Sequence, residues 1–140
     1  MIDARKIHSM GMSAGGLQTT AFSFLRSSYL ASVATYSGGL PGGIVIPDEE
    51  PGNPFAALIF FGGASDTYGT LDFAAASAAY YDALLADGRF AGLCDHGGGH
   101  DIPLDAAPSV VEFFAAHPFG TSPSPYADGL PASFPAYCSL

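Results

Sequence analysis

Basic side chains are nearly missing from this chain. Four Lys and Arg stand against thirteen Asp and Glu in 140 residues, a formal net charge of −9. With no Lys/Arg cluster anywhere, nucleic acid and anionic membrane surfaces are poor partners. Long apolar runs are missing too, none approaching the ~20 residues that span a bilayer. No apolar segment of the signal-peptide kind follows Met1-Ile2-Asp3-Ala4-Arg5-Lys6, so no leader is expected in this chain. Cysteine is limited to Cys94 and Cys138, too far apart for a CxxC redox or zinc motif. No internal repeat is present. Charged residues make up only 12% and hydrophobic ones 49%, which excludes disorder and predicts one domain with a sizeable core.

What is present is an alternation of strand and helix patterns. Lys6–Met10 reads as a short strand and Gly16–Ser28 as a helix, with Leu17, Thr20, Ala21, Phe24 and Leu25 on one face. Tyr29–Ser37 reads as a buried strand ending at Gly38-Gly39, and Gly42–Pro54 as an acidic, proline-marked loop. Ala56–Phe61 is continuously apolar, as expected of a strand covered on both faces. Leu71–Ala86 predicts a helix with Thr70 as N-cap and Gly88 past its end. Arg89–Asp95 predicts another strand, His96–Asp101 a glycine-rich loop, and Pro108–Ala116 a final helix. The tail from Pro118 to Leu140 shows neither periodicity. This order predicts an α/β fold, a parallel sheet with flanking helices, with functional residues in loops at the carboxyl ends of the strands.

One such turn is Gly11-Met12-Ser13-Ala14-Gly15, a GxSxG sequence between a predicted strand and a predicted helix. A serine on so sharp a turn has the frame of a nucleophile elbow, with side chains at Gly11 and Gly15 expected to collide with their surroundings. The Ala14 N–H would then face a developing oxyanion. Asp66 follows the third strand and His100 the fourth, giving the order serine, acid, histidine of an α/β-hydrolase triad. Each residue has a competitor. Ser13 could be an ordinary turn residue, Asp66 a turn cap, and Asp72 is the rival acid. His8 lies inside the lead-in strand, and His117 closes the last helix, where a cation suits the helix dipole. His96 flanks the same glycine run as His100. His100 is preferred as base because it sits at the far end of a flexible loop. The i, i+4 spacing of His96 and His100 suits zinc only on a helix, which three intervening glycines oppose, so no metal or other cofactor is expected.

The ordered motifs, Ile2-Asp3 through Gly15-Gly16, Ser37-Gly38-Gly39, Leu58 to Asp66 and Gly99-His100-x-x-Pro103, resemble the polyhydroxybutyrate depolymerase and feruloyl-esterase group of α/β-hydrolases. The resemblance runs over about residues 2–119. It implies a secreted serine esterase with Ser13, Asp66 and His100 as triad, acting on an ester of a small molecule, polyester or plant cell wall. It also implies a partial fold, strands 5 to 8 and their helices. Residues 1–119 then form the C-terminal part of a hydrolase domain, and 120–140 an irregular tail outside the resemblance. The strands before the nucleophile, and the loop giving the second oxyanion N–H, are not in this chain. The first strand would expose an unpaired edge open to self-association. The other readings are a non-catalytic half-domain that needs a further N-terminal half and, more weakly, a peptidase of the same fold. A Cys94–Cys138 disulfide would tie down the tail and imply an oxidising compartment; the alternative is two unpaired thiols.

Overall fold

The run Ala56–Phe61 is apolar throughout because the strand it forms is covered on both faces. A computed structural model describes residues 1–140. In chain order its elements are β1 (His8–Met12), α1 (Ala14–Leu25), β2 (Ser32–Tyr36), β3 (Ala56–Phe61), β4 (Thr67–Tyr68), β5 (Leu71–Asp72), α2 (Phe73–Ala86), β6 (Ala91–Asp95), α3 (Ala107–Ala116) and β7 (Cys138–Ser139). The main sheet has the order β1-β2-β3-β6-β7. Its first four strands are parallel and in continuous register, with Ser32 opposite both His8 and Ala56. The fold is α/β, as the alternation predicts. The four parallel strands are consecutive neighbours, which puts the loops after β1, β3 and β6 at one edge of the sheet.

Period-two alternation sends side chains to opposite faces, and the buried residues divide accordingly. Val33, Ala57, Ile59 and Ala91 pack with Phe24 of α1 and with Tyr80 and Leu84 of α2. Ala34, Tyr36, Leu58 and Phe60 pack on the other face with Val110 and Phe113 of α3. Two residues of the C-terminal segment, Tyr126 and Phe134, complete that second layer. Hence the segment after Pro118 lacks periodicity yet is not free: it covers one face of the sheet. Its end pairs antiparallel with β6, Cys94 standing opposite Cys138. The two cysteines form the expected disulfide. Closing a loop of this size contributes about 4 kcal/mol on the chain-entropy account. No helix is long and apolar enough to cross a membrane.

Several local expectations shift. Residues Ala4–Lys6 form a single 3-10 turn, so the first strand starts at His8 and reaches Met12. The first helix begins at Ala14, two residues before the expected start, and ends at Leu25. Asp72, not Thr70, caps α2, its carboxylate accepting from the Ala75 N–H at 2.9 Å. Thr70 instead lies in the tight turn that joins β4 to β5. Asp72 stands immediately before the first residue of α2, where its carboxylate reaches the Ala75 N–H, whereas Thr70 lies two residues earlier in the turn.

His117 also departs from expectation. It is buried rather than exposed as a cation at a helix end. Its Nδ1 lies 2.9 Å from the Phe113 carbonyl and its Nε2 2.7 Å from Ser124 Oγ, so the neutral ring bridges α3 to the C-terminal segment. The ring packs against Phe113 at 4.3 Å and Tyr126 at 5.1 Å between centroids. Burial holds its pKa below the ordinary 6.5, outweighing the Phe113 carbonyl, which acts the other way. A depressed histidine pKa means that unfolding takes up a proton between the folded value and 6.5. Stability is therefore full above 6.5 and declines as pH falls towards the folded value. Thermal melts between about pH 7 and pH 5 should show a falling Tm, and His117→Gln should flatten that dependence. Equal slopes in the two proteins would remove His117 as the source.

Candidate active site

The turn after β1 is held by its own backbone. The Ser13 N–H donates to the Tyr36 carbonyl at 2.9 Å, and the Ser13 carbonyl accepts from Leu17 N–H at 2.9 Å, opening α1. Ser13 has φ 55° and ψ −119°, a left-handed conformation that non-glycine residues rarely adopt. A serine preceding a helix ordinarily spends its hydroxyl on capping. Here the side chain makes no cap bond. Its Oγ lies 3.0 Å from His100 Nε2 instead. The Ala14 N–H, at the first position of α1, has no intrahelical acceptor and stands beside Ser13 at the positive end of the helix dipole.

His100 arrives on the loop after β6. Its Nδ1 lies 2.8 Å from Asp66 Oδ1. The Phe73 ring stacks on the imidazole at 4.8 Å, and the exposed Tyr68 ring lies 6.2 Å away on the β4–β5 hairpin. Asp66 is completely buried. Its Oδ2 accepts from the Gly62 N–H at 2.9 Å and from the Ser37 hydroxyl at 2.8 Å. With the carboxylate accepting, the proton of the neutral imidazole sits on Nδ1. The Nε2 lone pair then faces the Ser13 hydroxyl. The arrangement can draw a proton from Ser13 and return it to a leaving group.

The structure brings Ser13, Asp66 and His100 together, and it leaves the rivals elsewhere. Asp72 is occupied as the α2 cap. His96 Nδ1 accepts from Gly98 within its own loop. His8 Nδ1 lies 2.8 Å from Ser32 Oγ, and its ring stacks on Phe114. Residues 96–101 form no helix, so the i, i+4 spacing of His96 and His100 does not place them on a shared helical face.

Close backbone approaches make this possible, and they are not all where the GxSxG pattern puts them. A Cβ on Gly11 would stand 2.3 Å from the Gly15 carbonyl oxygen, as expected. A Cβ on Gly15 meets nothing within 4 Å, contrary to expectation. Gly16 is the constrained partner: its Cβ would stand 2.7 Å from the Tyr36 carbonyl oxygen and 3.0 Å from Gly38 Cα. The physical reason is that α1 has begun at Ala14, so Gly15 faces outward and Gly16 faces the sheet. A Cβ on Gly62 would fall 1.8 Å from the Gly99 carbonyl oxygen, which keeps the His100 loop against the Asp66 loop. Ser37 and Phe73 are the site residues that sequence reasoning missed. Ser37 stood only inside the motif Ser37-Gly38-Gly39, and nothing local marks Phe73.

No family model and no curated protein matches the chain. Solved structures do. Native pOPH aligns at a TM-score of 0.76 with 19% identity, over 98% of this chain and 52% of that one. A serine-to-alanine form of pOPH in complex with pNPB aligns at 0.79 with 18% identity, over 98% and 53%. Native sOPH aligns at 0.65 with 21% identity, over 99% and 53%. The chain has the fold of these proteins. It spans about half their length. The similarity includes the C-terminal segment that the sequence motifs left out.

Gly15→Ala should leave the melting temperature unchanged or raise it, since alanine gains roughly 0.5–1 kcal/mol over glycine inside a helix. Gly16→Ala should destabilise by at least about 1–3 kcal/mol, because backbone rather than a flexible side chain must yield. Denaturant melts of both variants decide it; equal behaviour would remove the assignment of the constrained position.

Proposed function

We propose that this chain carries the catalytic residues of a serine carboxylic-ester hydrolase acting through an acyl-enzyme. The observation that carries the proposal is the continuous relay from Ser13 Oγ through His100 to the buried Asp66, at 3.0 and 2.8 Å. Ser13 attacks the ester carbonyl carbon as His100 Nε2 takes its proton. The tetrahedral oxyanion collapses and expels the alcohol, which receives that proton. Water, deprotonated by the same nitrogen, then releases the acid. Asp66 stabilises the imidazolium and fixes the ring. The Ala14 N–H supplies one oxyanion donor. A structural neighbour has been solved as a serine-to-alanine form in complex with pNPB, which supports this reading by analogy of fold only. Residues 1–119 are read as hydrolase domain and 120–140 as its tail, and the disulfide fits a secreted protein.

A fluorophosphonate should label Ser13, mapped by mass spectrometry, and Ser13→Ala should abolish the adduct. His100→Ala should slow labelling by about 10³-fold or more, since an unassisted hydroxyl is a poor nucleophile. His96→Ala should not. A label on another residue would end the proposal.

A second reading concerns β1. It is the edge strand of the sheet, and Met10 on it is 58% exposed. An open parallel edge with apolar side chains recruits further strands, and a second oxyanion donor would have to come with them. In this reading the 140-residue chain expressed alone self-associates and turns over esters poorly. Size-exclusion chromatography with light scattering, run beside an ester assay, should show both. A monomer with full turnover would dismiss this reading and leave the first intact.

A further inference from the structure

Only two non-glycine residues have positive φ, and both are serines at the site: Ser13 at 55° and Ser37 at 46°. The strain at Ser13 is accounted for by the elbow. At Ser37 it is not. Ser37 ends the β2 course, and its N–H donates to the Phe60 carbonyl at 2.9 Å, a bond that any residue with an N–H would make. Glycine follows at positions 38 and 39, so the local chain already uses the residue that suits this backbone. A side chain with a hydroxyl is nevertheless held in the left-handed region at no exposure to solvent. Its bond is to Asp66 Oδ2, at 2.8 Å.

The two oxygens of Asp66 are used differently. Oδ2 receives two donors, the Ser37 hydroxyl and the Gly62 N–H, whereas Oδ1 faces His100 Nδ1. The terminal torsion of an aspartate is broad and two-fold, so its carboxylate rocks unless fixed donors hold it. Two donors on one oxygen remove that freedom and leave the other oxygen aimed. They also replace some of the solvation that full burial takes from the charge. We propose that Ser37 is a positioning residue of this site: its hydroxyl anchors Oδ2 of Asp66 so that Oδ1 holds the His100 ring with Nε2 towards Ser13. The proposal rests on reading Ser13, His100 and Asp66 as the catalytic triad.

Two variants separate the hydroxyl from the backbone. Ser37→Gly removes the hydroxyl and relieves the positive φ. Ser37→Ala removes the hydroxyl and keeps the strain. If the hydroxyl positions Asp66, both variants lose it equally. Fluorophosphonate labelling of Ser13 should then slow about 10- to 100-fold in each, the range in which outer partners of a functional group act. Ser37→Gly should melt at a higher temperature than Ser37→Ala. The proton on His100 Nδ1 should give a downfield nuclear magnetic resonance signal in the unsubstituted protein and be moved or broadened in both variants. Labelling that tracks melting temperature, with Ser37→Gly as fast as the unsubstituted chain, would reduce Ser37 to a structural role and overturn the proposal. So would an unchanged Nδ1 proton. Failure of the underlying triad reading looks different: Ser13 in the unsubstituted protein would not label.

Discussion

A fully buried carboxylate at the edge of a sheet sets the terms for everything around it. Asp66 lies at zero exposure. A charge taken out of water is costly unless donors replace the lost hydration. Here three elements meet to supply them: Ser37 from the end of β2, the Gly62 N–H from the end of β3, and His100 from the loop after β6. Each comes from the carboxyl end of a parallel strand, and the three strands are immediate neighbours. Removing one donor would leave the buried charge less well compensated, so the loops are tied together by the requirement to satisfy one side chain. Ser13 gains its partner through that arrangement, since the His100 ring is held from the Asp66 side.

That convergence needs backbones closer than side chains allow. Gly16 and Gly38 face one another between α1 and β2, each leaving under 3.2 Å for a Cβ against the other's backbone. The Gly62–Gly99 approach does the same between the Asp66 and His100 loops, sealed by the Gly99 N–H to the Gly62 carbonyl at 2.9 Å. Glycine here acts by absence of volume. The same loops hold Gly97 and Gly99 at positive φ, where conformational freedom is the other requirement.

The alternation of patterns is enough to read the α/β fold and a parallel sheet, and with the GxSxG turn it marks the loops whose residues meet. That the four strands lie side by side is implied by the family resemblance instead. The reason is that parallel strands in sequence order place their following loops at one edge, so position in the alternation implies position in space. Other features were hidden because their cause is not local. The helix start at Ala14 depends on the Ser13 N–H reaching the Tyr36 carbonyl across the sheet. The role of Asp72 as a cap looked available to Thr70, since both precede an alanine-rich run and only the β4–β5 turn decides between them. The packing of Tyr126 and Phe134 was illegible because irregular segments bury side chains without a period. Ser37 carried no signal of its own beyond the glycines after it.

The C-terminal segment joins stability to the site more directly than its irregular backbone suggests. Cys138 is bonded to Cys94, and the next residue of β6, Asp95, donates its N–H to the Tyr137 carbonyl at 3.0 Å. His96 N–H in turn bonds the Phe61 carbonyl, and Gly97 N–H bonds the Asp95 carboxylate. The start of the His100 loop is thus clamped between β3 on one side and the chain terminus on the other. Tyr137 extends the clamp, its hydroxyl donating to Asp105 at 3.0 Å just before α3. A loop rich in glycine is entropically expensive to hold in one conformation. Fixing both strands that flank its root leaves fewer residues free to wander, so the imidazole is carried by a short, anchored span rather than by a long mobile one.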